Sequence, residues 1–135
     1  MSLPEIIFKI NSPLDPDEVI RVYEDSGLRR PTQDKARILK MFEHSNLVIS
    51  AWSGEELVGI SRALTDFSYC CYLSDLAVKK EFQKRGIGTR LIGLTREQAG
   101  EGSMMLLLSA PDAMDYYCKI GMERVENGFI LKRKN

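Results

Sequence analysis

The chain has 135 residues, with nineteen basic and nineteen acidic side chains and no net charge. That length suits one domain, residues 1–135, burying about two thirds of its unfolded surface, and the balanced charge removes the non-specific electrostatic pull of a nucleic-acid binder. The stretch M-S-L-P-E-I-I-F-K-I lacks a basic segment followed by a long apolar one, and no run approaches the roughly eighteen apolar residues of a membrane span, so a cytoplasmic protein without membrane or nucleic-acid partners is expected.

In chain order, Ile6 to Ile10 is a first strand. Asp15-Pro16-Asp17-Glu18 then starts a helix, with Asp15 as cap, Pro16 in the first turn and Glu18 at the capping-box position. Val19, Val22 and Tyr23 form its apolar stripe, and Gly27 ends it. A second helix is predicted from about Thr32 to Ser45, with Ile38, Met41 and Phe42 facing the core and His44, the single histidine, near its end in a structural role. Leu47 to Trp52 and Leu57 to Leu64 make a hairpin around Ser53-Gly54-Glu55-Glu56.

A turn over Thr65 to Ser68 leads into a strand ending Tyr72 to Val78, which places Leu76 and Val78 on one face and Asp75 and Ala77 on the other. After a glycine-bearing loop, a helix begins at Gly88 with Leu91, Leu94 and Gln98 on one stripe. Met104 to Leu108 is a continuous apolar run, the pattern of a strand buried on both faces. Pro111 and Asp112 open a short helix with Ala113, Tyr117 and Ile120 on one side. Glu123 to Glu126 and Phe129 to Lys132 make a closing hairpin around Asn127-Gly128. The order β-α-α-β-β-β-α-β-α-β-β, with a strand, helix, strand crossover around residues 72–108, predicts an α/β (α+β) fold: a mixed sheet with a parallel pair and helices on both faces.

The chemistry concentrates at Gln83-Lys84-Arg85-Gly86-Ile87-Gly88. A helix N-terminus carries backbone N–H groups without intrahelical partners and about half a positive charge. Glycines at 86 and 88 remove Cβ atoms that would block a close approach and permit positive φ, so successive amides can converge on a diphosphate. Lys84, Arg85 and Arg90 add positive charge. No G-x-x-x-x-G-K-[ST] string occurs, and the third glycine of a dinucleotide fingerprint is replaced by Leu91.

The string Q-x-x-G-x-G after a strand ending L-A-V resembles the pyrophosphate loop of the GNAT superfamily, the acyl-CoA-dependent N-acyltransferases, as does the element order along the chain. The segment A-M-D-Y-Y-C-K-I-G-M at 113–122 is similar to a second signature of that superfamily, Ala-x-x-Phe-Tyr-x-Lys-x-Gly-Phe, with Tyr116 replacing Phe and Met122 the final Phe. The resemblance implies a mostly antiparallel sheet and an N-acetyltransferase that uses acetyl-CoA as cosubstrate, needs no metal, and acetylates a small-molecule or peptide amine through a ternary complex; it leaves a homodimer open. It implies that the backbone of Leu76, Ala77 and Val78 pairs with the pantetheine arm. Gln83, Lys84, Arg85, Gly86, Ile87, Gly88 and Thr89 would hold the diphosphate, and Tyr117 would be the general acid that protonates the departing thiolate.

Acceptor contacts would come from Arg29, Arg30, Arg62, Asp66, Tyr69 and Tyr72, arginines suiting an anionic group and acids an amine. Some relatives place a basic glutamate where this chain has Tyr72, so the base stays open between Asp75, Asp66 and solvent. Cys70, Cys71 and Cys118 have no C-x-x-C spacing and no neighbouring base, which argues against a disulfide framework, a zinc site and a cysteine nucleophile; they are expected as buried small hydrophobes. A non-catalytic acyl-CoA-binding module with the same fold is the alternative to an enzyme.

Overall fold

The computed structural model describes residues 5–134. Strand β1 (Ile6–Ile10) pairs antiparallel with β2 (Leu47–Ser53), and β2 with β3 (Glu56–Thr65). Strand β4 (Cys70–Val78) runs antiparallel to β3 and parallel to β5 (Met104–Leu106), so the sheet order is the chain order. The parallel pair therefore lies at one edge of a mostly antiparallel sheet.

Helix α1 (Pro16–Ser26) starts where Asp15 accepts from the Asp17 amide at 2.9 Å and stops at Gly27, whose φ of 83° is open to glycine. Helix α2 (Lys35–Glu43) is shorter than Thr32 to Ser45, because Asp34 captures the Arg37 amide and sets the start after a turn over 31–34. His44 ends it, its Nδ1 3.0 Å from the Lys40 carbonyl. Val19, Val22, Tyr23 and Ile38 of these helices pack on Val48, Leu57, Ile60 and Ala77 of the sheet.

Helix α3 (Ile87–Ala99) covers the opposite face, where Leu91, Ile92 and Leu94 meet Leu47, Ile49 and Val58. Each fully buried aliphatic side chain contributes about 1.5–3 kcal/mol, which outweighs local propensity for helices this short. A polar pair is enclosed within that layer: Ser61 Oγ and Thr95 Oγ1 lie 2.6 Å apart, both fully buried.

A bulge interrupts β4. Arg62 pairs with Asp75 and Ala63 with Leu73, leaving Ser74 as the extra residue. Leu73, Leu76 and Val78 consequently all face α3, while Asp75 turns toward α1 and meets Tyr23. Asp75 and Ala77 share a face as their spacing predicts, but strict alternation from Cys71 would have placed Asp75 on the other one.

Three expectations change. The apolar run at 104–108 forms a strand only to Leu106, and Met104 and Leu108 stay 59% and 62% exposed because no element among the described residues covers that edge. Residues 123–132 form no hairpin strands, since nothing in the described chain pairs with them. Of the cysteines only Cys71 is buried; Cys70 and Cys118 are exposed, Cys70 because consecutive strand residues point to opposite faces. Among the described residues no helix is long and apolar enough to cross a membrane.

Candidate active site

Strands β4 and β5 are paired only from Cys70 to Tyr72 and then separate. From Leu73 to Val78 this edge of β4 has no neighbouring strand among the described residues, and a cleft of about 300 Å³ opens between it and residues 107–113. Leu76, Ala77 and Val78 line one wall and Tyr117 of helix α4 (Met114–Lys119) the other; Gln83 sits at one end and Arg30, from the α1–α2 loop, at another. Unpaired strand backbone in a cleft accepts an extended amide-bearing chain as an added strand.

The loop after β4 meets this cleft. Gln83 Nε2 donates to the Val78 carbonyl at 2.8 Å, which latches the loop to the strand. Lys84 and Gly86 both have positive φ, 64° and 83°, and Gly86 is the cap of α3. The amide of Arg90 closes the first helical bond on Gly86, which leaves the amides of Ile87, Gly88 and Thr89 at the mouth without helical acceptors. Gly88 is not in the left-handed region; its lack of a side chain serves Tyr116, whose hydroxyl lies 3.1 Å from where a Cβ would stand. Tyr116 Oη and Thr89 Oγ1 share a hydrogen bond of 2.9 Å. Arg85 lies over the Phe82 ring at 5.2 Å, and so its charge is held beside the loop.

Tyr117 is half-buried and meets Tyr116 edge-on, ring centroids 5.2 Å apart. Burial, with Tyr116 adding to it, pushes the Tyr117 phenol above its ordinary range, so it is a proton donor at neutral pH.

Beneath the cleft lies a charged cluster. Asp75 is fully buried and accepts from Tyr23 Oη at 2.7 Å, Arg30 Nε at 2.5 Å, Arg62 Nε at 2.5 Å and Ser74 Oγ at 3.1 Å. Burial alone would raise its carboxyl, but the bonds and charge of Arg62, then the charge of Arg30, outweigh it and hold Asp75 below the usual range. Burial first and Asp75 second push the Tyr23 phenol well up. Burial opposes ionisation of Arg62, and its bond to Asp75 more than compensates.

The acetyltransferase (GNAT) family model matches residues 12–122. The chain belongs to the GNAT acetyltransferase family. An uncharacterized N-acetyltransferase, ycf52, of Porphyra purpurea is 29% identical over 109 residues, covering 75% of this chain; the match spans 60% of that relative's length. Among solved structures, a GNAT family acetyltransferase of Streptococcus pneumoniae superimposes with a TM-score of 0.77 at 21% identity, covering 97% of this chain and all of the other. The aminoglycoside N-acetyltransferase AAC(6')-Iy in complex with CoA gives a TM-score of 0.74 at 13% identity, covering 97% and 96%. At these identities the structures speak for the fold alone.

The cleft brings together Leu76 to Val78, Gln83, Arg30 and Tyr117, while of Lys84 to Thr89 it is Gly88 and Thr89 that meet Tyr116. The GNAT fold does not bring Asp66 to the cleft. Asp66 closes the turn before β4, its Oδ1 accepting from the amides of Ser68, Tyr69 and Cys70, and these bonds hold its carboxyl at about 2. Asp66 also raises the Cys70 thiol, chiefly through its charge, which keeps that cysteine protonated. Arg62 is buried and bonds Ser45, Ser74 and Asp75, so it faces inward and away from an acceptor. Tyr69 is 78% exposed beside the start of β5, at the closed end of the β4–β5 pair, and Tyr72 is the last residue paired with β5. Arg29 is exposed and contributes only its carbonyl, to Arg30.

Sequence reasoning missed Tyr23, Ser74 and Tyr116 as site-forming residues. Tyr116 left one signal, a polar residue where the family segment has Phe; Tyr23 looked like any stripe residue. A separate cavity of about 330 Å³ near Asn11, Leu14, Ile38 and Phe42 has no charged lining residue, and so offers nothing to acid–base chemistry.

Proposed function

We propose that this chain is an N-acetyltransferase that moves an acetyl group from acetyl-CoA directly to a primary amine of a small molecule or peptide. The observation that carries the reading is the β4–β5 cleft, lined by Leu76 to Val78, Gln83 and the half-buried Tyr117, with Tyr116 beside Tyr117 set against Gly88 and Thr89 at the bare N-terminus of α3. The residues fit the cosubstrate: the amides of Ile87, Gly88 and Thr89 have no helical acceptor, and such a helix start takes a diphosphate. Leu76 to Val78 would pair with its extended arm. Bound acetyl-CoA would supply an activated thioester.

The neutral amine attacks the carbonyl carbon, a C–N bond forms and the C–S bond breaks. Tyr117 gives its phenolic proton to the departing sulfur and recovers one from solvent. Neither Asp75 nor Asp66 is free for the other proton: Asp75 has each oxygen bonded and a lowered affinity for protons, and Asp66 is spent on its turn. That leaves water, or Asp112 on the cleft lining, to take the amine's proton, and Asp75 acts by holding Arg30 at the cleft wall. Arg30 bonds through Nε, Nη1 and Nη2 once each, which leaves two of its five N–H groups for an acceptor's anionic group.

The reading is tested by following free-thiol release from acetyl-CoA across a panel of amines. Release that depends on the amine and yields acetylated product supports it. That Asp75 and Asp66 are both engaged elsewhere is what favours a second reading, a non-catalytic acyl-CoA-binding module. Calorimetric binding of CoA without turnover on any amine or peptide would select that one.

A further inference from the structure

The charges beneath the cleft do not balance. Arg30 and Arg62 both pair with Asp75, and among the described residues neither arginine is ion-paired with a second carboxylate. Tyr23, the remaining ionisable member of the cluster, is kept neutral by its burial and by Asp75. Two guanidinium charges thus face one carboxylate, which leaves a surplus of one positive charge. The Asp75 side chain is closed to solvent, that of Arg62 is 9% exposed and that of Arg30 26%, so the surplus meets solvent through Arg30. A cation in such a half-buried place attracts an anion more strongly than one on open surface, because it is less screened.

Arg30 is also fixed in place. Its Nε donates to Asp75, its Nη1 to the Arg29 carbonyl at 2.6 Å and its Nη2 to the Ser74 carbonyl at 2.6 Å. Each Nη keeps one N–H, which gives two donors in one rigid plane on a side chain that lines the cleft. A planar anion with two acceptor oxygens suits that pair. One surplus charge matches a carboxylate, whereas a phosphate monoester carries about −1.5 to −2 and would leave part of its charge unmet.

The cleft lining holds one further charge. Asp112, on the wall formed by residues 107–113, is the acid among the lining residues, and it makes no ion pair with Arg30. One cation and one anion held apart are the complement of a molecule that carries a carboxylate and an amine. At about 300 Å³ the cleft lies at the small end of ligand sites, which favours a small acceptor.

We propose that Arg30 selects the acceptor by pairing with its carboxylate, so that the amine acetylated is that of a small amino carboxylate such as an amino acid. This rests on the acetyltransferase reading above and narrows its acceptor. Polyamines, which bring only positive charge to the surplus at Arg30, are poor acceptors.

The test uses amino carboxylates of increasing chain length, the matching carboxamides and an aminoalkyl phosphate. Each is assayed as acceptor with acetyl-CoA, and each is titrated calorimetrically into the protein saturated with CoA. The expected kcat/KM for the best carboxylate is about 10- to 100-fold above that of its carboxamide, and above that of the phosphate. The carboxamide has the less basic amine and more of it is neutral, so a preference for the acid does not come from amine reactivity. In Arg30→Gln the acid-to-amide ratio should fall to near one, and in Arg30→Lys, which keeps the charge without the fork, it should lie between; both should keep their CoA affinity. Equal use of acid and amide overturns the proposal, as does a preference for the phosphate, or an Arg30→Gln variant that loses CoA affinity and keeps the acid preference. Carboxylate binding to the CoA complex that Arg30→Gln weakens, without turnover, supports the Arg30 site and removes the enzyme reading; no carboxylate binding in either assay removes the site. If Arg30→Gln fails to fold, the wild type and Arg30→Lys decide.

Discussion

The hydroxyl of Tyr116 stands over Gly88, 3.1 Å from the place a Cβ would take, and is bonded to Thr89 one residue further along the first turn of α3. This contact ties the segment carrying Tyr117 to the mouth proposed for the diphosphate. Gly88→Ala should gain up to about 1 kcal/mol of helix propensity while forcing Tyr116 off Thr89. Thermal stability is expected to change little while CoA affinity falls roughly tenfold, about 1.4 kcal/mol. Calorimetry with CoA and a melting curve on the same variant separate the two effects; unaltered CoA affinity would detach Gly88 from the site.

Tyr117→Phe removes one oxygen from a half-buried ring and leaves the packing against Tyr116 in place. Loss of a positioned acid lowers kcat by about 100- to 10,000-fold, with CoA affinity almost unchanged. Because burial raises the phenol, the protonated form persists to above its ordinary value of about 10. The rate should accordingly show no decline from Tyr117 below that pH, and a fall above it that the variant lacks. A kcat–pH profile of both proteins is the measurement.

Asp75→Asn leaves the buried Arg62, and the half-buried Arg30, without their anion. Breaking such a pair from one side costs about 3–5 kcal/mol, measurable by urea denaturation. The folded carboxyl is depressed below its unfolded value, so its stabilisation is complete above about pH 4 and is lost as pH falls through the lower, folded value. The wild type should lose stability on acidification below that pH, and the Asn variant should show a shallower loss. Equal acid slopes would mean that Asp75 contributes no such linkage.

Thr95→Val strands the Ser61 hydroxyl inside the sheet–helix layer, where Thr95 is its neighbour at 2.6 Å. An unsatisfied buried hydroxyl costs about 1–3 kcal/mol, whereas removing both partners is close to neutral. The double variant Ser61→Ala/Thr95→Val should thus be more stable than Thr95→Val alone. A double-mutant cycle by denaturation decides, and additive losses would count against the pairing.

Asp66→Asn tests the other acid. Its charge serves three amides of a turn away from the cleft. The amine-dependent turnover measured for the proposed activity should be kept within a few-fold, and a collapse of kcat would return Asp66 to the list of bases.

Much of the site could be seen before any coordinates. The caps at Asp15 and Gly27, the stripe of Val19, Val22 and Tyr23, and the strand, glycine loop and helix around Gly86 all depend on neighbours within a few residues, where backbone sterics and side-chain periodicity act directly. Tyr69, Tyr72, Arg29 and Arg62 were grouped with the acceptor only because they lie near the right elements in sequence. Whether Arg62 faces solvent or a buried carboxylate depends on a bulge at Ser74, and one residue of register decides it.

By itself the amino-acid order determined the elements up to α3, the glycine-bearing mouth and the family, because hydrophobic period, turn chemistry and a short motif are written locally. Only the tertiary structure decided that β4 and β5 part after Tyr72, that Asp75 is locked by two arginines and a tyrosine, and that Phe129 to Leu131 stay exposed. Those outcomes come from contacts between residues tens of positions apart, where pairing register and burial compete, and no local pattern records which side wins.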